Sequence, residues 1–116
     1  MTLINTPGMS ALEHYLDLLA FRQQLTTSNV ANVDTPGYQT RDIDFRAEMQ
    51  RALASDAKTA PSVRSVPGLI ERPDGNNVSL DREGLALARI QLQFHVGVQL
   101  LREQFHQLQI AINEGK

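Results

Sequence analysis

Between Ser79 and Asn113 apolar residues recur with the 3-4 rhythm of a helical seam, and this pattern limits the available folds more than any other feature of the chain. Leu80, Leu87, Phe94, Leu101 and Leu108 stand seven apart, and Val98, Phe105 and Ile112 form the interleaved set, in which Gln91 is the polar member. Ser79 reads as the N-cap, and Asp81 and Glu83 occupy the first turn, where the helix dipole favours acids. Gly84 and Gly97 each cost about 1 kcal/mol against Ala in a helix, whereas each well-buried Leu or Phe contributes about 1.5–3 kcal/mol. The spacing therefore predicts one helix over 79–113, about 50 Å long. A compact chain of this size has a radius of gyration of about 13 Å. Such a helix cannot hide inside a sphere, so its stripe needs a partner.

The amino-terminal third can supply part of that cover. Leu12, Leu16 and Leu19 lie along one face of a helical pattern, with Tyr15, Leu18 and Leu25 along a neighbouring one. Ser10 reads as an N-cap, with Glu13 completing a capping box. Residues 1–9 are then a short extension and 10–33 the first helix. Pro36 disfavours helical geometry at Thr35, and Pro36-Gly37 suits a type II turn, so the chain must turn sharply there.

Residues 34–78 form an irregular middle. Gln39–Phe45 reads as extended, with Ile43 and Phe45 on one face. Phe45, Met49 and Leu53 recur every fourth residue, predicting a short helix over 45–54. Three prolines and two glycines between Ser55 and Asn77 leave a loop, with a ribbon near Val66–Arg72. The fold class is mainly α: one domain over 1–116, in which two long terminal helices pair as an elongated, coiled-coil-like hairpin around a Pro/Gly-rich middle.

Composition narrows the function. Eleven Lys and Arg against thirteen Asp and Glu give a net charge of −2, so no basic stripe is available for nucleic acid. The longest apolar run, Leu18–Phe21, is far shorter than a bilayer span, and the amino end lacks the basic and apolar regions of a cleavable signal peptide. Cysteine is absent, which removes thiolate nucleophiles and zinc ribbons. His95 and His106 fall about 16 Å apart along one helix face, too far to share an ion, and with His14 they read as solvent-facing or interfacial. Asp42 and Asp44 are flanked by Arg41 and Arg46, which predicts ordinary surface ion pairs rather than an acid–base couple. Asn77-Val78-Ser79 matches a glycosylation acceptor, but the capping role of Ser79 explains it better. Neither an enzyme site nor a cofactor or metal site is expected.

The run Ser28-Asn29-Val30-Ala31-Asn32-Val33-Asp34-Thr35-Pro36-Gly37-Tyr38 resembles the amino-terminal signature of bacterial flagellar rod and hook proteins, a helix that ends in a Thr-Pro-Gly-Tyr turn. Arg41–Phe45 and the run from Arg72 to Glu83 look like the proximal basal-body rod proteins of that family. Gln91-Leu92-Gln93-Phe94-His95 is similar to the family's Asn-Gln-Leu-x-Tyr segment, with Ile90 in place of Asn and Phe94 in place of Tyr. The resemblance covers essentially the whole chain.

It implies a structural subunit of the periplasmic rod, exported through the flagellar type III apparatus and packed by its two terminal helices. The partners it implies are copies of the chain itself, a neighbouring FlgC-like rod protein, the rod-base adaptor FliE, and the export-gate proteins FliP and FliR. Asn29, Asn32, Asp34, Thr35, Pro36, Gly37 and Tyr38 carry its turn motif. Leu80, Leu87, Phe94, Val98, Leu101, Phe105, Leu108 and Ile112 are the expected subunit-packing seam, and Leu12, Tyr15, Leu18, Leu19 and Leu25 the packing face of the first helix. A Phe-x-x-x-apolar export signal is matched at Phe21…Leu25, Phe45…Met49 and Phe94…Val98 alike, so the pattern selects none of them. The competing readings are a FlgC-like rod subunit and a soluble helical adaptor holding one partner helix in a groove.

Overall fold

The computed structural model describes residues 7–55 and 59–115. In chain order these form α1 (Pro7–Ala31), β1 (Arg41–Ile43), α2 (Phe45–Ser55), β2 (Val63–Ser65) and α3 (Leu80–Glu114). The predicted 1–9 extension is corrected in part, because α1 begins at Pro7 and Ser10 lies inside it; residues 1–6 fall outside the described part. The capping box at Ser10 and Glu13 is therefore not made. Proline's fixed φ and missing N–H are tolerated in a first turn, so the helix starts there.

At its other end α1 stops at Ala31, two residues before the expected Val33. Asn32 N–H still donates to Ser28 O and Asn29 O, and Val33 N–H to Val30 O, so the chain leaves the helix through turns. Gly37 then takes φ of 76°, the left-handed geometry that a type II turn places on glycine.

Asp44 caps α2: its Oδ1 accepts from Ala47 N–H at 3.2 Å and its carbonyl from Glu48 N–H at 2.9 Å. Phe45 therefore belongs to the helix and not to the strand before it. The ribbon lies earlier than Val66–Arg72. It is the antiparallel pair β1–β2, with Arg41 opposite Ser65, Asp42 opposite Arg64 and Ile43 opposite Val63. All three β2 residues are exposed. Their burial supplies no alternating signal, which is why periodicity did not locate the strand.

Ser79 caps α3, its side chain accepting from Arg82 N–H at 3.3 Å. With 35 residues α3 is about 52 Å long. The described molecule measures 68 × 27 × 18 Å, with a radius of gyration of 18.2 Å. The elongated two-helix architecture expected from length is the one observed.

α1 runs antiparallel to α3, placing Asn29 beside Glu83, and Tyr15 and Leu16 beside Gly97. In that register the described start of α1 lies opposite residues near Phe105, and the last turns of α3 continue past it. Gly97 is more than a tolerated cost. A Cβ there would come within 2.8 Å of Leu16 Cδ2 and 3.4 Å of the Tyr15 ring, so its bare backbone is what lets the helices approach. Around Gly84 nothing lies within 4 Å.

Six apolar side chains are fully buried: Met9, Leu18, Leu19, Ile43, Val78 and Ile90. That small core lies between α1, α3 and β1. Tyr15 meets Phe45 edge-on at 5.6 Å, and the Arg22 guanidinium sits 5.9 Å from the Phe45 centroid, tying α2 to α1.

Candidate functional site

Two features stand out from an otherwise ordinary surface, a buried polar corner and a long helix with bare apolar sides. The corner forms where α1 ends, β1 begins and α3 starts. Asn29 is 1% exposed, and its amide brackets the strand backbone as another strand would. Its Oδ1 accepts from Arg41 N–H at 3.1 Å, and its Nδ2 donates to Arg41 O at 2.9 Å. The same amide donates to Glu83 Oε1 and accepts from Tyr38 Oη at 3.1 Å. Asn32 donates to Ser28 O at 2.8 Å and accepts from Thr35 Oγ1 at 3.0 Å, closing the helix end. Asp34, Thr35, Pro36 and Gly37 are exposed, and Tyr38 is half-buried.

The turn docks onto the second quoted motif. Gly37 N–H donates to Asp74 O at 2.8 Å, and Asn76 Nδ2 donates to Asn32 O at 2.9 Å and Thr35 O at 2.8 Å. Asn77 Oδ1 accepts from Thr40 N–H at 2.7 Å. Gly75, with φ of 86°, brings its Cβ position within 3.3 Å of the Gly37 backbone, so two turns pack glycine against glycine. Residues forty apart thereby become one unit, with nearly every buried amide satisfied by backbone.

Beneath them runs a charged chain. Arg22 grips Asp42 with both arms, Nε at 3.0 Å and an Nη at 3.1 Å. Arg82 donates to Asp42 Oδ2 at 2.9 Å and to Glu83 Oε2 at 2.5 Å, and Glu83 is fully buried. Burial alone would raise the Asp42 pKa, but bonds from Arg22, Ile43 N–H and Arg82 outweigh it and hold the carboxyl below the ordinary aspartate range. Burial likewise opposes the charge on Arg82, and Glu83 and Asp42 together more than restore it, raising its pKa. The expected pairing with Arg41 and Arg46 is thus corrected. Asp42 pairs with Arg22 and Arg82, and Asp44 with Arg64 at 3.9 Å. Alternation explains this: Arg41 sits on the exposed side of β1 and Asp42 on the buried one, so sequence neighbours cannot reach it.

The second feature is α3. Of twelve large apolar side chains exposed in the described residues, nine lie on this helix, which makes it the main bare surface. Among the eight seam residues Leu87, Val98, Leu101 and Leu108 are half-buried, and Leu80, Phe94, Phe105 and Ile112 are exposed. The side turned to α1 is marked by Glu83, Ile90 and Gly97, so the seam lies on its shoulder. Leu12, Tyr15 and Leu25 are half-buried, while Leu18 and Leu19 are buried. Leu85, Leu92, Val96, Leu100 and Ile110 are exposed on the side of α3 away from Ile90. Sequence reading passed over these, and over Arg22, Asn76, Asn77, Arg82 and Glu83. The first group was legible in its spacing; the polar group had no periodic signal.

His95 and His106 are exposed and His14 is half-buried. An open concavity of about 520 Å³ on the outer side of α1 is lined by Ala20, Gln23, Gln24, Thr27, Ser28 and Ala31, none of them titratable. No helix among the described residues is long and apolar enough to cross a membrane. Satisfied polar groups inside and apolar stripes outside define the class: an elongated helical subunit built to pack against other protein.

Which family it serves is settled by likeness. The sequence model described as flagella basal body rod protein matches residues 16–39, the second half of α1 and the turn. Over 86% of its length the chain is 30% identical to the flagellar basal body rod protein FlgB of Salmonella typhimurium, covering 88% of that protein. It is 31% identical to FlgB of Escherichia coli K12 over the same shares. FlgB of Bacillus subtilis is 28% identical over 90% of this chain and 92% of its own length. The chain belongs to the FlgB family of flagellar basal body rod proteins, which are structural components of the rod and associate with other rod components.

Proposed function

We propose that this chain builds the proximal rod by helix–helix packing, after type III export into the periplasm. The observation that carries this reading is the bare apolar surface of α3 on a molecule 68 Å long. The seam of Leu80, Leu87, Phe94, Val98, Leu101, Phe105, Leu108 and Ile112 serves as one packing surface, and the polar corner fixes the angle at which the two helices are presented. The outer helix orders fully when neighbours cover it, so assembly is partly a folding step and the exported chain stays threadable. A FlgC-like rod protein, FliE, FliP and FliR are the proposed neighbours beside other copies of the chain. The role is mechanical, without catalysis.

Fractionation tests it. In cells where this chain is the sole member of its family, it should stay with detergent-resistant basal bodies, and its loss should abolish motility. A chain that washes out with soluble protein would instead be an adaptor.

A further inference from the structure

The bare surface of α3 is two stripes, not one. On the side away from Ile90 the positions Leu85, Leu92, Val96, Glu103 and Ile110 follow one another at intervals of seven, four, seven and seven. On the shoulder Leu87, Phe94, Val98, Phe105 and Ile112 repeat those intervals two residues later. Leu85 and Leu92 are each 64% exposed, and Phe105 and Ile112 are 47% and 45% exposed, so α1 covers neither stripe. Two residues rotate a helix by about 200°, leaving the stripes about 160° apart the short way.

Resting on the rod reading above, we infer that the first stripe of one copy packs against the second stripe of another, α3 parallel to α3, residue n against residue n+2. Four of the five positions then pair apolar with apolar: Leu85 with Leu87, Leu92 with Phe94, Val96 with Val98 and Ile110 with Ile112. The fifth sets Glu103 against Phe105, and Arg102, one turn from Phe105, supplies the opposite charge at the edge. Within the chain Glu103 accepts from Gln107 at 3.4 Å, and Arg102 makes no ion pair among the described residues.

Identical spacing is what keeps such a contact in register along a whole helix, and it makes a second copy the fitting occupant. Because the two stripes differ, each contact leaves one of each kind free, and the arrangement propagates instead of closing as a dimer. Contacts about 160° apart around the helix make a gently curved row of α3 helices, with α1 on one side of it.

The chain has no cysteine, so disulfide trapping is clean. Positions 96 and 98 project to opposite sides of one helix and cannot bridge within a chain. Basal bodies would be isolated from cells whose only copy carries Val96→Cys with Val98→Cys, oxidised, and run without reductant. A ladder extending beyond dimer, absent for either single variant, is expected. Dimers from one single variant would show a stripe packing on itself and overturn the inference. So would a double variant that is present in basal bodies yet stays monomeric, an outcome that leaves the rod role standing. Absence of even the unsubstituted chain from basal bodies sinks both. As a second measurement, Glu103→Arg should lower the amount incorporated at least tenfold, and Arg102→Glu added to it should restore most of the loss. Unchanged incorporation of Glu103→Arg would remove the proposed register.

Discussion

Around Asn29 the chain buries Asp42, Asn76, Asn77 and Glu83 and answers each with named partners, whereas along the outer sides of α3 it leaves Leu85, Leu92, Phe105 and Ile112 in water. The usual distribution is inverted, polar inside and apolar outside. Directional bonds suit the corner because they hold one geometry, at the risk of a large loss when any partner is removed. Apolar stripes suit the outer helix because they are non-directional and cost little while unpaired, yet reward contact over a long surface. One region sets a shape and the other awaits a neighbour.

The contrast is sharpest for variants that should unfold the monomer without touching the stripes. Asn29→Ala removes four hydrogen bonds and strands Glu83, and should destabilise the isolated chain by about 3 kcal/mol in urea unfolding. A loss under about 1 kcal/mol would mean that backbone and water replace the amide readily. Next comes Gly75→Val, which forces a β-branched residue to positive φ against the Gly37 backbone and should cost about 2 kcal/mol. Gly37→Val, with open space around it, should cost less in the monomer and show mainly as reduced motility; normal motility would contradict a role for this turn in subunit presentation.

Acid should attack the corner first. The Asp42 pKa is depressed in the folded chain, so its contribution is complete above the ordinary aspartate range and fades as pH falls through the folded value. Melting temperature should drop below about pH 4, and Asp42→Asn, already weakened at neutral pH, should flatten that slope. An unaltered slope in the variant would shift the effect to other carboxylates.

Smaller effects belong to the helix. Gly84→Ala should stabilise the monomer by about 0.5–1 kcal/mol, since the site is open and alanine is the better helix former. Phe105→Asp should change monomer stability by under about 0.5 kcal/mol, as exposed positions do, while blocking incorporation into basal bodies, because a charge held between helices is costly. Wild-type amounts of that variant in purified rods would take Phe105 out of any interface. Leu101→Asp, half-buried already, should impair both.

How much was readable in advance follows the same division. Periodicity located α3 within a residue at each end and α2 within one, since both rest on recurring apolar positions and local caps at Ser79 and Asp44. It misplaced β2, whose three exposed residues carry no burial pattern, and it began α1 at a serine because the proline before it looked like a stop. The turn motif was visible as a motif. That Asn29 brackets Arg41, and that Asn76 reaches Asn32 and Thr35, was not, because these partners are distant in sequence and meet only once the helices are antiparallel.

From the linear order of residues alone came the elongated shape, the two terminal helices, the glycine-dependent turn and the stickiness of α3, because each depends on interactions within a few residues or on length set against volume. Tertiary structure decided which side of α3 faces α1, through Gly97 and the Asn29–Glu83 contact, and so which apolar residues remain bare. It also decided which arginines neutralise Asp42. A helical rhythm states only that a stripe exists; which stripe is covered depends on where a second helix can approach closely, and that is a property of two surfaces together.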